Sequence, residues 1–440
     1  MTGSARPLPA GELPRKAVHL GMAAFALLLR WLTWEQAALC AAAAFLFNLL
    51  ILPRLLGHRL DSRREGASDR GVLLYPVVVL ALIVLFHRTP WGLALPAFGW
   101  GLLAGGDALA GLVGMGWGSR PLPWNPRKTW EGLGGSLVGG GFLGSLLARF
   151  VLGRCPLEVH GAVVGIVLGT ALASVLESLP HGLDDNVLPP LAGTLVLAVA
   201  VSAGGGPAPA TLTALAAAAG INLAIALAAA AVHLLSPAGV AGAWVLGTVT
   251  LGLGTWRAYL LLWIFLAGGL LVTRVRRAEK RTLGLEDERR RGLAHVAANG
   301  GICLVGSLLL GATGSPLAPL FIAAGLASAL ADTAASELGK AFGRRAYLLP
   351  RLRPVPPGTE GAVSLPGTLA GLAGACLVAG AAAASGFIEP SLFPVVAGSG
   401  FAAMLLEGAL PGLGPASNTG TNLANTVMGG LLAVALRLWL

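Results

Sequence analysis

Fifteen long apolar segments occupy most of this 440-residue chain and exclude a soluble globular fold. Hydrophobic residues make up 55% of the sequence and charged residues 11%, about half the charged fraction of a soluble protein. A run of about 20 apolar residues crosses a bilayer as a helix. We therefore predict an all-α polytopic integral membrane protein with about 15 transmembrane helices, centred on residues 17–29, 35–52, 72–86, 92–113, 132–151, 160–176, 187–203, 209–235, 238–254, 256–273, 293–311, 317–338, 361–384, 393–406 and 421–440.

The basic residues between these segments predict the orientation of the chain. A net charge of +10 is compatible with nucleic-acid binding, but its placement argues against that partner. If the N-terminus is cytoplasmic and the segments alternate, 24 of the 30 Lys and Arg residues fall on the cytoplasmic side. This is the positive-inside distribution. Arg outnumbers Lys 26 to 4, as in GC-rich bacterial genomes, so we expect a multi-pass protein of the bacterial inner (cytoplasmic) membrane.

Two aspartates, Asp107 and Asp332, lie within the apolar segments, and similar polar residues surround both in the same order. The order predicts two parallel pseudo-repeated halves, with domains at 1–205 and 206–440 separated by a Gly-Pro-rich break. An ionisable residue inside a membrane is costly and is usually functional, although either Asp could serve packing alone. The matched residues are Arg15 and His19 with Arg291 and His295, Glu131 with Glu360, Glu177 with Glu407, and Asn186 with Asn418.

Carboxylates near the predicted cytoplasmic face suggest a magnesium site in each half. Mg²⁺ binds oxygen ligands, usually protein carboxylates together with substrate phosphates, and Mn²⁺ binds similar ligands. A solvated turn would also explain the Asp-Asp-Asn run that ends at Asn186. The predicted metal ligands are Asp107, Glu177, Asp185, Asp332, Glu337 and Glu407.

Basic residues beside a predicted helix start suggest phosphate binding. Arg127 and Lys128 precede a helix that begins at Thr129 or Glu131, and a helix N-terminus attracts anions. Both residues could instead be topology anchors, and the histidines could be interfacial side chains. The predicted catalytic residues are His19, Asp107, Lys128, Glu131, His295, Asp332 and Glu360. The predicted substrate-binding residues are Arg15, Lys16, Arg127, Asn186, Asn299, Ser336, Ser364, Asn418 and Asn422.

The first half carries motifs that resemble those of the membrane phytol kinase and dolichol kinase group, which is distantly similar to phosphatidate cytidylyltransferases. The resemblance covers roughly residues 10–200 and implies phosphoryl transfer from CTP or a similar nucleotide to a long isoprenoid alcohol. Its motifs are Arg15-Lys16-x-x-His19, Gly106-Asp107-x-x-Ala110, Pro126-x-Lys128-Thr129-x-Glu131-Gly132 and Glu177…Asp185-Asn186…Pro189.

The second half resembles the phytyl-phosphate kinases and their uncharacterised bacterial relatives, over about residues 215–440. This resemblance implies addition of a second phosphate to the monophosphate. Those relatives often have an Asp-Ser pair where this chain has Glu407-Gly408, so the second metal ligand differs. The motifs are Leu293-Ala294-His295-Val296-x-Ala298-Asn299-Gly300, Ala331-Asp332-Thr333-x-Ala335-Ser336-Glu337-x-Gly339, Gly361-Ala362-Val363-Ser364-x-x-Gly367-Thr368 and Asn418…Asn422…Thr426.

Together the two resemblances imply a gene fusion that makes an isoprenyl diphosphate from a free alcohol. The expected partners are the isoprenoid alcohol and its monophosphate, a nucleoside triphosphate and membrane lipids, with no nucleic acid. Two alternatives remain open at this point. One is a CDP-lipid-forming cytidylyltransferase, which needs similar residues, and the other is a transporter of lipids or isoprenoid phosphates with a duplicated site.

Overall fold

The computed structural model describes residues 16–17, 20–52, 68–156, 159, 161–179, 185–202, 212–233, 235–276, 292–349, 353–356, 359, 361–409 and 418–440. Four of the predicted site residues fall outside this description: Arg15, His19 and Glu360 altogether, and Asn418 in its side chain. The chain divides into two compact units. Unit 1 comprises residues 1–179, 183–202 and 439, and unit 2 comprises residues 180–182, 203–438 and 440.

Unit 1 is built from helices and one short hairpin. Its longest helix, Trp130–Leu152, follows the hairpin directly. The elements are α1 (Ala23–Arg30), α2 (Trp34–Leu50), α3 (Ser68–Phe86), α4 (Ala94–Gly101), a π-helical turn (Leu102–Gly106), α5 (Asp107–Trp117), β1 (Pro121–Leu122), β2 (Asn125–Thr129), α6 (Trp130–Leu152), α7 (Ala162–Ser178) and α8 (Leu188–Val201).

Unit 2 begins with three additional helices and then repeats part of this plan, without two helices in the place of α2 and α3. Its central helix is buried along most of its length. The elements are α9 (Leu212–Ala231), α10 (Pro237–Val249) with a π-helical turn (Thr250–Gly254), α11 (Trp256–Arg274), α12 (Leu293–Thr313), α13 (Ala318–Phe342), β3 (Ala346–Leu348), β4 (Arg353–Val355), β5 (Ala362–Val363), α14 (Leu365–Ala384), a 3₁₀ turn (Pro390–Leu392), α15 (Phe393–Ala409) and α16 (Asn418–Trp439).

All fifteen predicted apolar segments coincide with helices, which confirms the all-α polytopic fold. Nine helical stretches in the described part of the chain are long and apolar enough to cross a membrane. The exposed side chains on these helices are largely aliphatic and aromatic, as expected of surfaces that face lipid. The nine stretches are Ala94–Trp117, Trp130–Leu152, Thr213–Ala231, Pro237–Gly254, Trp256–Arg274, Leu293–Thr313, Ala318–Phe342, Leu365–Ala384 and Pro390–Ala409.

The first apolar segment differs from the expected span. It forms a tight 3₁₀ helix over Ala23–Arg30, within an apolar helical stretch that runs from Leu20 to Arg30. A 3₁₀ helix rises about 2 Å per residue, so such a stretch reaches about 20 Å, short of the ~30 Å hydrocarbon core. The cytoplasmic placement of the N-terminus therefore stays a prediction.

The helix that carries the aspartate crosses a glycine-rich helix in the same register in both units. A Cβ atom on Gly132 of α6 would lie 3.1 Å from the Ala110 carbonyl oxygen, three residues after Asp107. A Cβ atom on Gly367 of α14 would lie 2.6 Å from the Ala335 carbonyl oxygen, again three residues after the aspartate, Asp332. Small residues let membrane helices approach this closely.

Farther along the two crossings, the register still agrees. A Cβ atom on Gly139 would overlap the carbonyl oxygen of Gly105, two residues before Asp107. The matching Cβ atom on Gly374 would lie 3.1 Å from the carbonyl oxygen of Leu330, two residues before Asp332. The same helix pair therefore occurs once in each unit, in agreement with the predicted pseudo-repeat.

The glycine-rich helices also begin in the same way. The Thr129 hydroxyl accepts a hydrogen bond from the Gly132 amide, and the Ser364 hydroxyl accepts one from the Gly367 amide. These are N-cap contacts, which satisfy a free amide in the first turn. The Ser364 side chain, predicted to bind substrate, is thus used as a helix cap.

A strand hairpin joins the two helices in each unit. In unit 1, β1 pairs antiparallel with β2, and in unit 2, β3 pairs antiparallel with β5. The interval from the aspartate to the cap is 22 residues in unit 1 and 32 in unit 2. The additional residues of unit 2 include β4, which pairs with the free edge of β3.

This register corrects one predicted equivalence. Glu131 lies two residues after the cap Thr129, and the residue two after the cap Ser364 is Pro366. Glu360 precedes its cap. The match of Glu131-Gly132 with Glu360-Gly361 is therefore wrong, because sequence spacing alone did not reveal the insertion that holds β4.

Candidate functional site

Asp107 occupies a distorted point of its membrane helix. The π-helical turn Leu102–Gly106 ends immediately before it, and α5 begins with it. Such π-helical turns inside α-helices occur frequently at functional sites. The Asp107 side chain is 35% exposed, and its Oδ1 atom lies 2.6 Å from the ammonium nitrogen of Lys16. Lys16 also donates a hydrogen bond to the Asp107 backbone carbonyl at 3.0 Å.

Glu177 faces the same region from the end of α7. Its Oε2 atom accepts a 2.7 Å hydrogen bond from the hydroxyl of Ser136 on α6. A Cβ atom on Gly106 would lie 3.4 Å from the Ser136 hydroxyl and 3.9 Å from Glu177 Oε2. The Glu177 carboxylate and the Ser136 hydroxyl therefore lie near Gly106, the residue directly before Asp107.

Lys128 joins the hairpin to this group. Its ammonium nitrogen lies 2.8 Å from Asp185 Oδ2 and also donates to the backbone carbonyl of Glu177. Two further contacts hold the hairpin against α7: the indole N–H of Trp124 donates to the Ser178 hydroxyl, and the amide of Asn125 donates to the Ser178 carbonyl, both at 3.0 Å. Asn186, half-buried, follows Asp185 directly.

These contacts gather the predicted residues of unit 1 into one cluster, which we call the lysine–carboxylate cluster: Lys16, Asp107, Lys128, Glu177 and Asp185. The Glu177 carboxylate interacts electrostatically with Lys128, Asp107 and Asp185. Three carboxylates and two ammonium groups close together offer oxygen ligands for a cation and positive charge for an anion. The sequence patterns identified all five residues, but only the fold shows which lysine pairs with which acid.

Two members of the surroundings were missed by the sequence patterns. Ser136 carries no distinctive signal, because serine is common among the small residues of membrane helices. Tyr75 of α3 is buried, accepts a 2.7 Å hydrogen bond from the indole N–H of Trp100, and interacts electrostatically with Asp107. A lone phenol within the apolar segment 72–86 was the available signal for it.

Glu131 and Arg127 lie apart from the cluster contacts. Glu131 accepts a 2.7 Å hydrogen bond from the Ser119 hydroxyl and bonds from the backbone amides of Ser119 and Arg120 at 3.3 Å each. It thus fixes the loop that follows α5. Arg127 is exposed on β2 next to the half-buried Lys128, since neighbouring strand residues point to opposite faces. Catalytic and substrate-binding roles for the two remain predictions.

In unit 2, Asp332 is half-buried on α13, and the Ser336 hydroxyl lies 3.5 Å from its Oδ1 atom. Glu337 is only 6% exposed and lies 3.9 Å from the ammonium of Lys340. Five residues along a helix correspond to a rotation of about 140°, so Glu337 and Asp332 point to different sides of α13. This placement separates two residues that were predicted to bind metal.

Helix α16, which carries the predicted residue Asn422, packs beside the helix of Asp332. Asn425 exchanges hydrogen bonds with Ser328, one turn before Asp332, and the Ser328 hydroxyl lies 2.6 Å from Asn425 Oδ1. Thr426 donates to the Ala298 carbonyl of α12 at 3.3 Å. One turn earlier on α16 is Asn422, half-buried.

The neighbouring turn of α12 carries Asn299 and His295, whose backbone carbonyl accepts a 3.2 Å hydrogen bond from the Asn299 amide. Asp332, Asn299 and Asn422 therefore lie on three packed helices at adjacent turns. Glu407, near the end of α15, is half-buried, and the adjacent Gly408 lies near Gly361 and the strand residue Val363.

The donor sets fit a magnesium ion better than a zinc ion. Among the residues that the structure describes, no three His, Cys, Asp or Glu side chains form a metal-binding group. Structural zinc requires four closely placed ligands, usually Cys or His. Magnesium is commonly held by one or two carboxylates together with substrate phosphates, and the acids of the lysine–carboxylate cluster suit that mode.

Sequence comparison divides the chain at a similar place. Residues 9–177 match the profile described as the cytidylyltransferase family, and residues 220–429 match the profile described as integral membrane protein DUF92. No solved structure gives a significant match. The protein is therefore an integral, multi-pass membrane protein.

Three relatives illustrate the range of similar proteins. An uncharacterized membrane protein of Synechocystis is 40% identical over 32% of this chain and 56% of its own length. A probable chloroplastic phytol kinase of Triticum aestivum is 30% identical over 43% of this chain and 68% of its own length. An uncharacterized membrane protein of Methanocaldococcus jannaschii is 32% identical over 46% of this chain and 84% of its own length. The chain thus spans little more than half of the Synechocystis relative.

Proposed function

Because the chain belongs to the cytidylyltransferase family in its first half and to the family of integral membrane protein DUF92 in its second, we propose that it is a bifunctional membrane lipid kinase. Unit 1 phosphorylates an isoprenoid alcohol, and unit 2 phosphorylates the resulting monophosphate. The phosphoryl donor is a nucleoside triphosphate, with CTP favoured by the family of the first half. A probable phytol kinase among the relatives supports the alcohol substrate.

The lysine–carboxylate cluster is the observation that carries this proposal. Phosphoryl transfer needs little covalent chemistry from the protein, and its catalysis depends on positioning and on neutralising the charge of the phosphates. Lys16 and Lys128 are held by acids at 2.6 Å and 2.8 Å, so both ammonium groups are oriented before a substrate arrives. Lys128, Glu177 and Asp185 lie near the ends of apolar helices, and Asp107 lies within one, so an isoprenoid chain can lie in the hydrocarbon region while its hydroxyl reaches the polar residues.

In the proposed first step, the alcohol oxygen forms a bond to the γ-phosphorus, and the bond from that phosphorus to the bridging oxygen breaks. The hydroxyl proton leaves to a carboxylate of the cluster or to water, and the nucleoside diphosphate departs. Lys16 and Lys128 bind the phosphate oxygens, while one or two of the acids Asp107, Glu177 and Asp185 would hold Mg²⁺ together with those phosphates. When bound, the ion neutralises charge on the phosphate oxygens.

Unit 2 supports the second step through its repeated helix pair. Asp332 stands where unit 1 has Asp107, and Asn299 and Asn422 flank it from two other helices. In that step an oxygen of the monophosphate forms a bond to the γ-phosphorus of the donor, the bond from that phosphorus to the bridging oxygen breaks, and a second nucleoside diphosphate departs. The products of the two steps are the isoprenyl monophosphate and diphosphate. The first activity is assigned to residues 1–205 and the second to residues 206–440. The protein is assigned to a bacterial inner membrane.

CDP-lipid synthesis is the second candidate function, because the profile matched by the first half is described as a cytidylyltransferase family. Purified full-length protein is incubated with isoprenols or with isoprenyl monophosphates, the acceptor that CDP-lipid synthesis needs, and with CTP labelled in either the α- or the γ-phosphate. A kinase transfers the γ-label to the extracted lipid, whereas a cytidylyltransferase transfers the α-label and releases the γ-label in pyrophosphate. Transfer of the α-label alone would overturn the kinase proposal.

Lys128→Ala is expected to weaken use of the nucleotide. A charge-assisted hydrogen bond is worth roughly 1.5–3 kcal/mol, so kcat/KM for the nucleotide should fall by about one to two decades. Steady-state kinetics of alcohol phosphorylation measure this effect. Arg149→Ala, an exposed cation in the last turn of the same helix that follows Lys128, is the matched control and should retain full activity. Equal activity of Lys128→Ala and its control would contradict a role in nucleotide binding and favour the alternative, that Lys128 is a topology anchor.

Both steps are expected to require a divalent cation. Excess EDTA should abolish incorporation of the γ-label into lipid, and added Mg²⁺ or Mn²⁺ should restore it, because carboxylates and phosphates are oxygen ligands. Zinc should not be needed. Activity that persists after exhaustive chelation would remove the metal roles of Asp107, Asp185 and Asp332.

A further inference from the structure

The ammonium group of Lys16 occupies a position on Asp107 that a metal ion could take. Its side chain is only 6% exposed, and its ammonium contacts both the Asp107 carboxylate, at 2.6 Å, and the Asp107 carbonyl, at 3.0 Å. It passes across Gly111, one turn after Asp107. A Cβ atom on Gly111 would lie 2.8 Å from Lys16 Cε and 3.1 Å from its ammonium. The chain therefore keeps a glycine where Lys16 must pass.

Lys16 in this position opposes the binding of a divalent cation to Asp107. The two cations would repel each other at close range, and the interaction is strong where water is scarce. Removing Lys16 from Asp107 without a substitute would leave a buried charge unpaired, which is strongly unfavourable. The phosphate oxygens of an incoming nucleotide are the substitute that the proposed reaction supplies.

Unit 2 has a different arrangement at the corresponding positions. Lys16 stands three residues before His19, and the residue three before His295 is Gly292, which has no side chain. Four residues after the aspartate, unit 1 has Gly111 and unit 2 has Ser336, whose hydroxyl lies 3.5 Å from Asp332 Oδ1. The glycine that Lys16 passes in unit 1 thus corresponds in unit 2 to a serine whose hydroxyl lies beside the aspartate.

We propose that Lys16 is a positioning residue that holds the cation position on Asp107 in the resting site and transfers to the nucleotide phosphates when a divalent cation binds. This inference rests on the proposed use of a metal and a nucleotide at the lysine–carboxylate cluster. Its consequence is thermodynamic coupling. The metal binds weakly to unit 1 alone and more tightly with a polyphosphate, and by linkage the polyphosphate is equally favoured by the metal.

Mn²⁺ binding to the purified full-length protein, followed by electron paramagnetic resonance without nucleotide or alcohol, tests the inference. Lys16→Met should bind Mn²⁺ at one site about 5- to 150-fold more tightly than the unchanged protein, the usual range for coupled sites. Adding Asp107→Asn should remove the gain. Lys340→Met, which removes an ammonium 3.9 Å from Glu337 in unit 2, is the control and should leave the Mn²⁺ affinity of unit 1 unchanged. An unchanged or weaker affinity in Lys16→Met would overturn the inference.

Gly111→Ala provides a second variant that retains both charges. The added methyl group displaces the flexible end of Lys16, so it should tighten Mn²⁺ binding in the same direction as Lys16→Met. Inorganic tripolyphosphate should strengthen Mn²⁺ binding to unit 1, after correction for chelation in solution, and this enhancement should shrink in Lys16→Met. An enhancement of equal size in both proteins would contradict the transfer of Lys16 to phosphate.

These measurements need no turnover, so the inference and the proposed function can fail separately. Tighter Mn²⁺ binding in Lys16→Met without any lipid kinase activity would retain the displacement of Lys16 and reject the kinase. If the unchanged protein has lipid kinase activity and Lys16→Met binds Mn²⁺ with unaltered affinity, the proposed kinase function stands and the proposed displacement of Lys16 is rejected.

Discussion

Asp107→Asn is expected to abolish conversion of the isoprenoid alcohol to its monophosphate while leaving phosphorylation of supplied monophosphate intact. Asp332→Asn should do the reverse, so that monophosphate accumulates from the alcohol. Each substitution keeps the size of the side chain and removes its charge. Because the carboxylate would hold the cation that neutralises the phosphates, we expect a loss of at least about 100-fold in the affected step, the scale seen when one preorganised electrostatic contact is removed. Chromatography of labelled lipids measures both steps in one extract.

Matched controls make this result specific. Glu35→Gln in unit 1 and Glu389→Gln in unit 2 apply the same carboxylate-to-amide change at exposed sites, and both proteins should retain both steps. Two outcomes would contradict the division of labour. Loss of both steps in each aspartate variant would mean that the units share one composite site, and full activity in Asp332→Asn would mean that unit 2 takes no part in catalysis.

Gly139→Ala and Gly134→Ala, both on α6, are expected to change stability in opposite directions. A Cβ atom on Gly139 would overlap the Gly105 carbonyl oxygen where α6 crosses the helix of Asp107, so the two backbones must separate. Overpacking of this kind costs about 1–3 kcal/mol. A Cβ atom on Gly134 would meet nothing within 4 Å, and alanine is favoured over glycine in a helix by about 1 kcal/mol. Thermal unfolding of the detergent-solubilised protein measures both changes.

Gly139→Ala should also reduce alcohol phosphorylation, because separation of the helices moves Asp107 away from Glu177. Unit 2 offers an independent pair on α15. A Cβ atom on Gly400 would lie 2.9 Å from the Ser328 amide nitrogen, and one on Gly398 would meet nothing within 4 Å. The alanine variant of Gly400 should be the less stable of the two. Equal unfolding temperatures within both pairs would reject the close crossings as a source of stability.

Hydropathy and charge predicted the helices well because a membrane imposes a simple physical rule. A helix that crosses a bilayer must satisfy its backbone internally and expose apolar side chains, and this requirement is visible in composition. The fifteen apolar segments all became helices for this reason. The first segment became a short 3₁₀ helix, and hydropathy does not distinguish that form from an α-helix.

Candidate site residues could be found from the sequence because ionisable groups are rare in such segments. Asp107, Asp332 and the residues around them stood out against an apolar background, and the structure gathers Asp107, Glu177 and Asp185 with two lysines. Spacing could not predict the pairs themselves. Lys16 and Asp107 are 91 residues apart, and only the packing of their segments brings them to 2.6 Å.

The sequence by itself determined that this is a helical membrane protein with two related polar sites, since burial of charge in an apolar chain leaves a local and readable trace. Tertiary structure decided the register of the repeat, because that register is fixed by backbone contacts between distant glycines and carbonyl oxygens. It also decided that Ser364 caps a helix, that Glu131 binds a loop, and that Glu337 faces away from Asp332. Each of these depends on which atoms a side chain contacts in the folded protein, and the neighbouring residues in the sequence do not specify those contacts.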